Sequence, residues 1–209
     1  MPLVHSEQID ANSTLLLWSL TETETELRKD LGSTYNFNDL NSISHPQKVR
    51  EWLASRMLLR KLAEAFGFIY EGIHKDEHGK AFLVNNDAHI SLTHTAEYVA
   101  AVINLHSSVG IDMERKSEKL IRTAHKYLSD EEYQVADQEI QKLCMYWCAK
   151  EALYKLYGKK KISFKQDIHI HAFDADDLEI TGVLRDDNIL INSRIKILWF
   201  GPYCLAIAW

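Results

Sequence analysis

Asp112 and Glu114 stand two residues apart in VGIDMER, residues 109–115, where Val109, Ile111 and Met113 alternate with Gly110, Asp112 and Glu114. That alternation is the period of an extended strand, so both carboxylates leave one face, roughly 6–7 Å apart. Farther along, Glu151 and Lys155 are four apart, with Trp147 one turn earlier, in a segment of helical spacing. They share a helix face. Should that face meet the strand, three carboxylates converge, which is unfavourable unless a cation neutralises them or one retains a proton. Three hard oxygen ligands with open positions suit Mg²⁺, which keeps waters and completes its shell with substrate phosphates. The sequence does not separate Mg²⁺ from Mn²⁺. Each pair alone has a plainer reading: Glu before Lys at i,i+4 is a common surface pair of helices, and strand ends often carry exposed acids. The combination points to metal-assisted phosphate chemistry.

His94 lies between Thr93 and Thr95, just ahead of the apolar run YVAAVI (98–103). A histidine flanked by hydroxyls at a strand end can donate to phosphate oxygens or take a proton from a nucleophile. It is also one of ten histidines, and a surface position is the simpler account. DEHGKAF (76–82) reads as a glycine-containing hairpin turn that presents Lys80.

The elements that must position these groups occur twice. WLASRMLLRKL (52–62) and WCAKEALYKLY (147–157) align at one offset, with Trp52 on Trp147, Ala54 on Ala149, Leu58 on Leu153 and Arg60 on Lys155. At the same offset Arg56 occupies the position of Glu151. Both segments have large apolar residues at helical intervals. Ser44 with Pro46 marks a start for the first, and Ser129 with Glu132 forms a capping box for the second. YVAAVI (98–103) and YCLAIAW (203–209) read as matching buried strands, and NLHSSVG (104–110) is a short polar seam. The expected fold is α+β, with two pseudo-symmetric α+β halves at 1–104 and 105–209. Each is a long helix packed on a small, mostly antiparallel sheet, and a site is expected at their junction, where clefts form. The segment from Asp167 to Phe200 reads as further antiparallel strands without identifiable chemistry.

Composition narrows the class. The 209 residues suffice for a sizeable core, and the formal charge of −6 argues against a general nucleic-acid surface, which needs a basic excess, while leaving room for a local phosphate pocket. Cys144, Cys148 and Cys204 lack the paired spacing of a zinc site and read as reduced thiols of a cytoplasmic protein. No segment has the length or apolarity of a membrane span or a signal core.

Together these motifs resemble the 4′-phosphopantetheinyl transferases, of the larger monomeric type that activates surfactin synthetase. The family's G-I-D-x-E is matched by Gly110, Ile111, Asp112 and Glu114, and its W-x-x-K-E-A-x-x-K by Trp147, Lys150, Glu151, Ala152 and Lys155. Its F-N-I-S-H-S is echoed by ISLTHT (90–95) and its G-K-P by GKA (79–81), with Thr93 for the usual Ser and Ala81 for the usual Pro. The resemblance implies transfer of the phosphopantetheine arm from coenzyme A, the co-substrate, to a serine of a small, acidic, helical acyl or peptidyl carrier protein. It further implies that Asp112, Glu114 and Glu151 hold Mg²⁺, and that Lys155 and His94 contact phosphates. Arg56, Lys80 and Thr93 would bind the nucleotide end, while Glu151 would take the serine proton directly or through water. The lysines of GKKKISFK (158–165) either steer an acidic partner or form a solvated loop. Two other readings stay open: another Mg²⁺-dependent phosphoryl or nucleotidyl transferase, although no glycine-rich phosphate cradle occurs, and a non-catalytic module binding carrier protein or coenzyme A.

Overall fold

In the computed structural model, which describes residues 2–33, 35–187 and 189–209, Pro46 sits in the first turn of a long helix. Its missing N–H leaves no orphan donor there. The cap, however, is His45 rather than Ser44: its side chain accepts from the Gln47 N–H. An imidazole nitrogen one residue nearer the helix does what the serine hydroxyl was expected to do.

The fold is α+β and contains two units: the stretch through His74 with Ala81–His106, and Lys75–Lys80 with Ser107–Trp209. In chain order the first unit carries β1 (Leu3–Asp10), β2 (Ser13–Ser19), α1 (Glu24–Leu31), α2 (Pro46–Ala65), β3 (Ile73–Lys75), β4 (Ala81–Leu83), β5 (His89–His94) and β6 (Tyr98–Asn104). Its sheet runs β1-β2-β6-β5-β4-β3. Leu53 and Met57, and Leu58 and Leu62, stand four apart on α2 and bury with Leu16, Trp18, Ile90, Val99 and Ala101 of the strands. Each such side chain contributes about 1.5–3 kcal/mol by leaving water. The short helix α1 was not foreseen. Thr23 and Glu26 form a reciprocal capping box at its start, a signal that was legible in TETE.

The second unit carries β7 (Gly110–Arg115), α3 (Lys119–Thr123), α4 (Asp130–Ala136), α5 (Ile140–Tyr157), β8 (Ile168–Ile170), β9 (Glu179–Asp186), β10 (Ile189–Phe200) and β11 (Tyr203–Ala208). The sheet order is β7-β11-β10-β9-β8. The Ser129–Glu132 capping box is present, but it opens α4 and not the long helix. The chain turns at Asp137, in the left-handed region at φ 45°, before α5 begins after Glu139, which makes no side-chain cap. α5 lies across β7 and β11 and buries Cys144, Cys148, Ala149, Ala152 and Leu153 against the sheet. No helix of the described residues is long and apolar enough to cross a membrane.

Candidate functional site

The acids of β7 are positioned by strand pairing. Asp112 pairs across to Ala206 of β11, Glu114 to Cys204 and Gly110 to Ala208, and directly opposed residues of an antiparallel pair project to one face. This face receives α5 on a floor of small side chains. At Gly110 there is no room for more: a Cβ would stand 1.9 Å from the Ala152 carbonyl oxygen and 2.6 Å from the Leu156 nitrogen. The glycine of the G-I-D-x-E motif therefore permits backbone contact between strand and helix.

That close approach brings the chemistry together. The Lys155 ammonium donates to Asp112 Oδ1 at 2.7 Å and to the Ile111 carbonyl at 3.0 Å. Asp112 is buried, and Glu114 and Glu151 are half-buried. One turn before Lys155, the Glu151 carboxyl is pushed up to about 7. Burial is the main cause; the Asp112 and Glu114 charges add to it, and Lys155 opposes it. With all three acids ionised and one lysine beside them, the cluster carries a net negative charge that a hard cation would neutralise. The donor set fits Mg²⁺. Among the described residues, the ligand atoms that already close to within 4.8 Å of one another belong instead to Cys144, Cys148 and Cys204.

A groove of about 500 Å³ opens beside Glu114 and Glu151, walled by Leu120, Tyr127, Trp147 and Phe164. Trp147 meets Tyr127 edge-on at 5.0 Å and stacks on Phe164 at 5.8 Å. The Phe164 wall is held by Lys150, which is 0% exposed. Its ammonium donates to Glu132 Oε2 at 2.6 Å, to the Phe164 carbonyl at 2.8 Å and to the Ile168 carbonyl at 2.6 Å. Glu132 Oε1 in turn accepts from the Ile170 N–H at 2.8 Å. Sequence reasoning found Lys150 only as a motif letter and Glu132 only as a cap. Lys150 stands four after Tyr146 and three before Leu153, both buried, and a lysine in such an apolar row is the signal that a buried counter-ion was required.

The remaining residues singled out in the sequence fall in two places. Arg56, Thr93 and His94 belong to the first unit. Arg56 is buried, its guanidinium 4.3 Å over the Trp52 ring and bonded to Ser55 Oγ at 2.9 Å, and burial lowers its proton affinity. Thr93 is buried on β5. The His94 ring is exposed, with Nδ1 3.2 Å from Glu51. Lys80 lies in the second unit with Asp112, Glu114, Glu151 and Lys155, but its ammonium donates to the Leu156 carbonyl at 2.7 Å, near the C-terminal end of α5. Asp76 shapes that turn by accepting from the His78 and Lys80 amides. Of the lysine cluster, Lys159 lies over the Tyr157 ring, Lys160 donates to the Glu77 carbonyl and Lys165 pairs with Asp130.

Residues 108–208 match the sequence model of the 4′-phosphopantetheinyl transferase superfamily. The chain is also 33% identical over 115 residues to a protein named 4′-phosphopantetheinyl transferase gsp, from Aneurinibacillus migulanus. That match covers 51% of the chain and 48% of the relative, about half of its length.

Proposed function

We propose that this chain, whose C-terminal half matches the 4′-phosphopantetheinyl transferase superfamily, transfers the 4′-phosphopantetheine arm of coenzyme A to a serine of a carrier protein. The convergence of Asp112, Glu114, Glu151 and Lys155 on one strand–helix contact carries the reading. In this reading the serine Oγ attacks the phosphorus that bears the pantetheine arm. The pyrophosphate bond breaks, and 3′,5′-ADP leaves. Bound Mg²⁺, held by Asp112, Glu114 and Glu151, would supply charge neutralisation on the pyrophosphate. Mn²⁺ would serve the same donor set.

The chain's own groups do the rest. Lys155, already beside Asp112, donates to a phosphate oxygen and stabilises negative charge as it builds on the leaving group. A Glu151 carboxylate whose proton affinity lies close to neutrality is suited to accept the serine proton, directly or through one water, an effect of about 10²–10⁴-fold. His94 is assigned to a phosphate, and Arg56, Thr93 and Lys80 to the nucleotide end. The groove lined by Trp147 and Phe164 admits the carrier's serine to Glu151 and shields it from bulk water. The carrier would be small, acidic and helical, the enzyme monomeric and cytoplasmic, with the half boundary near residue 105.

The test is direct. The protein is incubated with coenzyme A, Mg²⁺ and a panel of apo carriers from fatty-acid, polyketide and peptide synthases. A phosphopantetheine mass gain on one serine, abolished by EDTA and restored by Mg²⁺, is expected. No gain on any carrier, with coenzyme A still bound, would instead identify a non-catalytic binding module.

A further inference from the structure

We infer that Cys144, Cys148 and Cys204 form a site for one thiophilic metal ion, separate from the carboxylate cluster. The chain has three cysteines, and all three meet: their sulfurs lie within 4.8 Å of one another, and each residue is 0% exposed. Two come from successive turns of α5 and the third from β11, where Cys204 stands opposite Glu114. The two α5 residues alone are too few for a site, so spacing gave no sign of one; strand pairing supplies the third sulfur. At a metal–sulfur distance of about 2.3 Å, ligating sulfurs stand about 3.8–4.0 Å apart. A contraction of less than about 1 Å brings all three sulfurs onto one ion, a trigonal set for Cu⁺ and three of the four ligands that Zn²⁺ takes.

The present thiol contacts are weak and easily given up. Cys144 Sγ donates to the Glu114 carbonyl at 3.5 Å, and Cys148 Sγ donates to the Cys204 carbonyl at 3.5 Å. Soft sulfur selects Zn²⁺ or Cu⁺ over Mg²⁺, so the two sites do not compete for one ion. Burial opposes net charge. The ligating form of each sulfur is the thiolate, so binding releases the thiol protons, and the ion's own charge offsets part of the negative charge left behind.

The full-length protein is refolded with reductant and chelator. It then receives one equivalent of Zn²⁺ or of Cu⁺ in separate arms and is exchanged into excess Mg²⁺ with a weak chelator. Native mass spectrometry is expected to find one ion per chain in at least one arm, with retention at least tenfold weaker in Cys148→Ser. The same ion should raise the urea midpoint of the wild type but not of the triple Cys→Ser variant, because binding stabilises only the folded state that holds the site. Should Cys148→Ser fail to fold by near-ultraviolet circular dichroism, Cys204→Ser serves in its place. An absence of retained ion in both arms, or retention that survives in a folded single variant, overturns the site.

Discussion

Glu151→Gln separates the stability of the acid cluster from its chemistry. The substitution keeps shape and removes the charge that Asp112 and Glu114 oppose. In the folded chain the Glu151 carboxyl rises from an ordinary 4.5 to about 7. At about 1.4 kcal/mol per tenfold change in proton affinity, this is a ceiling of about 3 kcal/mol. Because the side chain is only half-buried, solvent screening brings the expected value to about 1–3 kcal/mol. The sign follows from which state holds the proton. Below 4.5 both states are protonated and no penalty exists. Between 4.5 and about 7 the folded chain keeps a proton that the unfolded chain releases, so stability falls as pH rises. Above 7 the penalty is complete. Urea denaturation of metal-free protein at pH 5 and pH 8 should therefore show the wild type losing stability relative to Glu151→Gln by about 1–3 kcal/mol. Adding Mg²⁺ should recover the loss in the wild type alone, and transfer to a carrier should be abolished in the variant. A wild-type-to-variant difference that does not change with pH would refute the crowding of acids on which the site rests.

Three further outcomes are expected. Gly110→Ala drives a methyl into the Ala152 carbonyl, so β7 and α5 must separate; solubility or the urea midpoint should drop sharply, and an unchanged midpoint would show that the contact is soft. Lys150→Ala leaves the buried Glu132 carboxylate without its lysine counter-ion and should destabilise by about 3–5 kcal/mol. The double variant Lys150→Met, Glu132→Gln should regain more than half of that in the same denaturation assay, and equal losses in single and double variants would deny the coupling. Asp112→Ala should remove carrier modification by mass spectrometry while near-ultraviolet circular dichroism stays native, and unchanged turnover would exclude the metal assignment.

Local pattern made the elements of the candidate site legible, because each group lies within one element of regular period. Alternation in VGIDMER gave β7 and the shared face of Asp112 and Glu114; helical spacing around Trp147 gave α5 and the shared face of Glu151 and Lys155. The motif glycine was visible, but its reason was not. Gly110 has no left-handed φ to betray it, and its need for zero side-chain volume arises from Ala152 and Leu156 of α5, more than forty residues later. Capping was misassigned for a similar cause. Ser129–Glu132 is a correct local signal, yet the left-handed break at Asp137 inserts a separate short helix before α5. The cysteine cluster depends on the pairing of β11 with β7, and pairwise register is not written in one strand's sequence.

One element explains why so many of these features coincide. α5 is engaged on nearly every side: Cys144, Cys148 and Ala152 face the sheet, Lys150 enters the Glu132 network, and Trp147 and Glu151 line the groove. A helix without a free face is fixed in rotation as well as position. Such fixing lets three acids stay close although their mutual repulsion favours spreading apart, because moving Glu151 away would also pull Lys150 from its three acceptors and Trp147 from Phe164. The helix thus stores the electrostatic strain that a divalent cation would relieve, and holds it on rigid elements where about 0.5 Å of misplacement matters. A variant that loosens the Lys150 network should therefore let the Glu151 carboxyl relax toward an ordinary glutamate, as well as lowering stability.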